Sequence, residues 1–235
     1  MFVLNAVGPG IRKIKFAKYF DHTLLKSDAT ETQIKKLCQE ALQFDFASVC
    51  VNSYHVPLSA RLLKNSGVKV CTVVGFPLGA NLTVVKAFET RKAIQEGAQE
   101  IDMVINIGAL KDGNEEKVHC DIFEVVKECR LKNVLCKVIL ETSVLTETEK
   151  RVGCRLAKEA GAHFVKTSTG FGPGGATPED VRIMKSAIRG GKLGIKASGG
   201  IRTLSQVLEL IKAGATRLGT SATVTIMQEY NASAG

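Results

Sequence analysis

The sequence predicts an α/β fold, a single (β/α)8 TIM barrel. Three observations lead there. A short apolar strand, a polar or glycine-containing loop and an amphipathic helix follow one another eight times along the chain. The 235 residues are close to the size of one such barrel, about 250 residues. Glycines gather late, behind the sixth, seventh and eighth strands, whereas the first strand runs into Asp21-His22-Thr23-Leu24-Leu25 with none. An open doubly wound sheet places its glycine-rich turn after the first strand, so the late glycines favour the closed barrel.

The candidate strands are Lys18–Leu24, Phe46–Asn52, Lys69–Phe76, Glu100–Ile107, Leu135–Glu141, His163–Ser168, Leu193–Ser198 and Arg217–Thr220. Several are continuous β-branched runs, as expected of parallel strands covered on both faces. Between them, Ile34, Leu37, Cys38, Ala41 and Leu42 form one helical stripe, and Val118, Ile122, Val125, Val126 and Cys129 form another. Capping boxes at Thr30-x-x-Gln33, Thr146-x-x-Glu149 and Thr203-x-x-Gln206 mark helix starts. Thr177 followed by Pro178 marks a fourth. No linker or low-complexity block divides the chain. Residues 1–235 read as one domain, with 1–15 as an N-terminal extension and 222–235 as a C-terminal helix and tail.

Composition excludes several classes. Charges interrupt every apolar run short of a membrane span, despite a mean hydropathy of +0.08. Basic residues follow the apolar start instead of preceding it, the wrong order for a secretory signal, so the expected location is cytoplasmic. Seven cysteines, without a C-x-x-C, read as reduced thiols in a reducing compartment. The four histidines show no ligand spacing with one another or with the cysteines, so neither a metal nor another cofactor is expected. The net charge of +9 raises the question of nucleic acid. The lysines are scattered along helix faces without aromatic interleaving, which fits a solvated surface with a preference for small anions.

Barrel chemistry sits at strand C-terminal ends. Three charged residues interrupt apolar runs there: Asp102, Lys166 and Lys196. A lone strand lysine usually lies on a solvated face. Two on neighbouring inner strands, about 4.8 Å apart, form a like-charged pair in a desolvated site. One should lose its proton and become able to attack a carbonyl, while Asp102 across the barrel moves protons. Lys137 is a third inner-strand lysine, and Glu141 four residues on suggests a structural ion pair. Patterning alone leaves all three lysines open as the nucleophile. Behind them, Gly170-Phe-Gly-Pro-Gly-Gly175, Ser198-Gly-Gly-Ile-Arg202 and Gly219-Thr-Ser221 offer backbone N–H groups to a phosphate.

These segments, with Gly75-Phe-Pro77 and Cys136-Lys-Val-Ile-Leu-Glu-Thr142, resemble the deoxyribose-phosphate aldolases from about Phe16 to Ser221. The resemblance implies a class I aldolase that reversibly cleaves 2-deoxy-D-ribose 5-phosphate into acetaldehyde and D-glyceraldehyde 3-phosphate. It assigns the Schiff base to Lys166, the lysine that keeps it neutral to Lys196 and the proton relay to Asp102. It assigns phosphate binding to Gly170, Gly199, Gly200, Gly219 and Ser221. The partner implied is a small phosphorylated sugar, not nucleic acid or membrane. A homo-oligomer, dimer or tetramer, stays open, as does another phosphosugar aldolase, transaldolase or isomerase.

There are departures from the family pattern. Ala222 stands where many members carry a second serine, Phe171 where some carry lysine, and Ser53 where short relatives have proline. Some members end in a tyrosine that assists proton transfer, a role that would fall on Tyr230.

Overall fold

The structure is a computed structural model that describes residues 16–233; the expected N-terminal extension, 1–15, lies outside them. Eight parallel strands close into a barrel in sequence order. They are β1 (Phe20–Leu24), β2 (Ser48–Val51), β3 (Lys69–Val74), β4 (Glu100–Val104), β5 (Leu135–Ile139), β6 (Phe164–Lys166), β7 (Gly194–Ser198) and β8 (Arg217–Thr220). β8 closes onto β1 with Gly219 opposite Asp21. Seven of the eight are shorter than their apolar runs. Five of the runs, those of β2 to β6, go on past the last ladder residue into the loops at the barrel mouth, as at Ile105, whose N–H still donates to Ile139.

Strand side chains alternate, and the barrel uses the two faces differently. Outward residues such as Ile101, Met103, Val138, Val165, Ile195 and Leu218 join one apolar core with the surrounding helices. Each such side chain, fully buried, contributes about 1.5–3 kcal/mol. The inward face is charged: Asp21, Asp102, Lys137, Lys166 and Lys196 are all buried in the barrel interior. Burying these groups costs free energy unless each finds a partner.

The helices follow their apolar stripes. In Glu31–Phe44, Ile34, Leu37, Cys38 and Ala41 are buried. Leu42 is a correction to the expected stripe, because it lies at the edge of that face and is 44% exposed. In Glu115–Arg130 all five stripe residues are buried. The three capping boxes form as read, with each threonine accepting from the third helical N–H. Thr177 likewise accepts from Asp180 ahead of Pro178–Ala187. The expected C-terminal segment carries the helix Thr223–Ser233. No helix among the described residues is long and apolar enough to cross a membrane.

Candidate active site

Lys166 ends β6 and is the register partner of Lys196 in the middle of β7. Parallel neighbours in register point the same way, and here both side chains enter the barrel. Asp102, inward on β4, receives them: its Oδ2 accepts from Lys166 Nζ at 2.8 Å and from Lys196 Nζ at 2.6 Å. The other oxygen, Oδ1, accepts from Lys137 Nζ at 2.8 Å and from the Cys71 thiol at 3.2 Å. The barrel thus brings together all three residues selected from the sequence.

It also brings residues that were not selected. Asp21 binds Lys196 at 2.5 Å and Arg217 at 2.6 Å. Glu100 binds Lys137 at 2.6 Å and Arg217 at 3.1 Å. The connected network therefore holds four cationic side chains, Lys137, Lys166, Lys196 and Arg217, against three carboxylates, Asp21, Glu100 and Asp102. Strand alternation could have marked Asp21, Glu100 and Arg217 as inward, but they stand near strand starts, where a charge ordinarily reaches solvent.

Lys137 corrects an expectation. It pairs with Glu100, Asp102 and, at 3.6 Å, Asp21, not with Glu141. The chain turns out of β5 at Glu141, which adopts a left-handed backbone (φ 59°) and sends its carboxylate toward the next loop.

Proton affinities follow the pairing. Burial raises Asp102, but the three lysines outweigh it and hold the carboxyl well below the usual carboxylate range. Asp21 is lowered in the same way by Lys196, Lys137 and Arg217 against its own burial. Burial lowers Lys196 and Lys137, yet the carboxylates around each leave both raised, so these two stay cationic. The sequence had suggested bare repulsion between two lysines. Asp102 stands between them instead, and the choice of a neutral amine becomes a matter of charge count. Lys166 has one carboxylate partner among the described residues, Lys196 two and Lys137 three.

A cavity of about 240 Å³ opens at the C-terminal end of the barrel, and Lys166 is the one member of the lysine network in its wall. Gly170, Gly199, Gly200, Gly219 and Ser221, the expected phosphate ligands, line the same cavity. Gly170 and Gly199 hold φ of 85° and 88°, open to glycine without strain. A Cβ on Gly175 would fall on the Gly199 carbonyl, so the loops behind β6 and β7 nest backbone to backbone. Lys26 and Arg202 also reach this wall. With Phe171 in place of a lysine, the sequence left phosphate charge to backbone dipoles; the structure adds these two cations, each from a different loop. A cavity of about 830 Å³ lies at the opposite end, beneath β3 to β5, and none of the four network cations lines it.

Tyr230 packs away from this cavity. It stacks on Phe16, ring centroids 4.1 Å apart, in the apolar core ahead of β1. Cys50, Cys71 and Asp102 lie with ligand atoms within 4.8 Å of one another, as do Asp21, Cys71 and Glu100. Linear spacing concealed both groups because β1 to β4 supply them. In the second, the Lys137 ammonium lies 3.2 Å from Cys71 and 2.6 Å from Glu100, in the position a cation would take.

The model of the DeoC/LacD family aldolases matches residues 15–228. The chain belongs to this family. It is 59% identical over 220 residues to a deoxyribose-phosphate aldolase of Carboxydothermus hydrogenoformans, covering 93% of this chain and 96% of that one. It is 58% identical over 214 residues to that of Thermococcus gammatolerans, covering 90% and 95%. Among solved structures, the tetrameric deoxyribose phosphate aldolase from Aeropyrum pernix superimposes with a TM-score of 0.89 at 30% identity, covering 96% of this chain and 95% of that one.

As a DeoC/LacD aldolase the chain is a carbon–carbon lyase, and its site has the parts such chemistry needs. There is an amine at a cavity wall, a carboxylate within hydrogen-bond reach of it and a rim of glycines with Lys26 and Arg202.

Proposed function

We propose that this enzyme reversibly cleaves 2-deoxy-D-ribose 5-phosphate into acetaldehyde and D-glyceraldehyde 3-phosphate through a Schiff base on Lys166. The observation that carries the assignment is that Lys166 alone belongs both to the buried ion network and to the wall of the glycine-lined cavity. Its names among relatives point the same way.

The neutral Lys166 amine attacks C1 of the open-chain sugar, and loss of water from the carbinolamine gives the iminium. Removal of the O3 proton then breaks the C2–C3 bond. The electron pair moves into the C1–C2 enamine, and C3 leaves as the aldehyde of glyceraldehyde 3-phosphate. Protonation of C2 and hydrolysis of the imine release acetaldehyde and regenerate the amine. Asp102 takes and returns these protons. While all three lysines are charged it is a weak base, but converting Lys166 to a neutral carbinolamine removes one of the cations that lower it. The same holds as the iminium becomes the neutral enamine, so Asp102 can keep the proton taken from O3 until it returns it to C2. Lys196 stays cationic on the same carboxylate oxygen and disfavours a proton on its neighbour. The loops behind β6, β7 and β8, with Ser221, Lys26 and Arg202, hold the phosphate.

Supplying acetaldehyde and glyceraldehyde 3-phosphate and following formation of the sugar phosphate tests the reaction. Its absence with active transaldolase or isomerase turnover would replace the assignment. We also propose that the enzyme works in the cytoplasm as a homo-oligomer. Seven free cysteines support a reducing compartment. Leu78, Leu82, Val84 and Phe88, each more than half exposed around one helix start, support an interface between copies.

A further inference from the structure

Glu141 is the buried carboxylate at the barrel mouth that the reaction above leaves unused. It follows β5 with φ 59° and ψ 62°, a left-handed backbone that a glutamate adopts at a cost. It is 4% exposed, and no cation pairs with it among the described residues. Its Oε2 accepts both groups of one residue in the next loop, the Thr169 hydroxyl at 2.5 Å and the Thr169 N–H at 3.2 Å. The Thr169 hydroxyl oxygen in turn accepts from the N–H of Phe171 at 3.0 Å.

The loop is shaped to lie on this carboxylate. A Cβ on Gly172 would come within 2.8 Å of the Glu141 Cδ, and one on Gly174 within 2.8 Å of the Ser143 Cβ. Glycine at both positions lets the strand of chain from Thr169 to Gly174 rest directly on residues 141–143. The other side of the same strand faces the cavity, where Thr169, Gly170 and Phe171 form part of the wall. A bend in the backbone, a buried charge and two missing side chains therefore converge on one contact.

We infer that Glu141 is a positioning residue for the phosphate rim: its carboxylate fixes Thr169 and so aims the Gly170 backbone at the phosphate group of the substrate. The inference rests on the proposed phosphosugar substrate. Glu141 acts through Thr169 and does not touch the reacting atoms. A hydrogen bond to a charged acceptor is stronger than one to a neutral acceptor, so an amide at this position loosens the loop without changing its size.

The test compares kinetics of wild type and Glu141→Gln on 2-deoxy-D-ribose 5-phosphate and on unphosphorylated 2-deoxy-D-ribose. The variant should raise KM for the phosphorylated sugar on the order of tenfold, leave its kcat within about twofold, and leave kcat/KM for the unphosphorylated sugar unchanged. Equal losses on both sugars, or no loss on either, would overturn the inference. Should Glu141→Gln fail to fold, Thr169→Val and Thr169→Ser read the same bond from the other side. The valine variant should show the KM rise and the serine variant should restore KM; identical behaviour of the two would overturn it. A wild type indifferent to the phosphate would overturn the substrate assignment and this inference together, whereas a wild-type preference kept in Glu141→Gln overturns the inference alone.

Discussion

Lys166 and Lys196 face each other across the β6–β7 ladder and share a single oxygen of Asp102. Neither lysine is isolated, and neither is simply repelled by the other. What separates them is the rest of their surroundings: Lys196 has a second carboxylate in Asp21, whereas Lys166 borders the cavity.

Lys196→Leu removes the fixed cation next to Lys166 and leaves three cations against three carboxylates. The rate at neutral pH should fall about a hundredfold, an effect of roughly 2.7 kcal/mol on the barrier, and should recover as pH is raised. Lys196→Arg, which keeps the charge, should lose less. A pH–rate profile of the three proteins checks this, and an unaltered profile for Lys196→Leu would remove the electrostatic role.

Asp102→Asn should affect folding as well as turnover. Four cations would then face only Asp21 and Glu100 in a dry interior. Removing one partner of a buried pair costs about 3–5 kcal/mol. Chemical denaturation should show a loss of this size, and Asp102→Asn combined with Lys166→Met should recover part of it by returning the network to an excess of one positive charge. A single variant as stable as wild type would contradict the ion network.

Much of this was legible beforehand. Every strand was placed because its apolar run had to be covered on both faces, and Asp102, Lys166 and Lys196 stood out as charges inside such runs. The capping boxes were read correctly because the interaction is local, spanning four residues. Asp21, Glu100 and Arg217 were missed for the opposite reason. Their partners lie across the barrel, as with Arg217 and Glu100, and only closure of β8 onto β1 brings them together. In sequence Glu141 reads as a continuation of β5, which pairs it with Lys137, whereas its left-handed backbone lies beyond the strand's end at Ile139. The glycines expected to hold phosphate are legible as runs behind β6, β7 and β8, whereas no local pattern singles out Lys26 or Arg202, and only the cavity puts them on one wall.

Those two cations make a separate prediction. Lys26→Ala and Arg202→Ala should each raise KM for the phosphorylated substrate by roughly three- to tenfold, through loss of charge at a partly exposed site. The effect should shrink at high ionic strength, while the rate on unphosphorylated sugar stays level. Steady-state kinetics at two salt concentrations decides it, and a salt-independent loss would point to packing instead.

Stability should decline in mild acid, above the range in which Asp21 and Asp102 titrate. His22 is buried beside Glu40, 2.8 Å away, and burial lowers its pKa from 6.5 despite that partner. The unfolded chain therefore takes up the proton first. Stability is level above about pH 6.5 and falls as pH drops below it. His163 is lowered too, by burial and then by Arg130 and Lys137, so His22→Gln should flatten the slope without abolishing it. Asp21 and Asp102, held low, contribute fully above about pH 4 and lose that contribution progressively as pH falls below it, because the unfolded chain takes up those protons first. Denaturation midpoints between pH 5 and 8 test the histidine window; a midpoint independent of pH there would contradict it.

The central claim is that Lys166, and no other lysine of the network, forms the covalent bond. Incubation with acetaldehyde, reduction with borohydride and mapping of the peptide by mass spectrometry address it directly. The expected result is one two-carbon adduct, on Lys166, absent from Lys166→Met and present in Glu141→Gln. An adduct on Lys137 or Lys196, or an unmodified Lys166 in protein that still turns over, would contradict it.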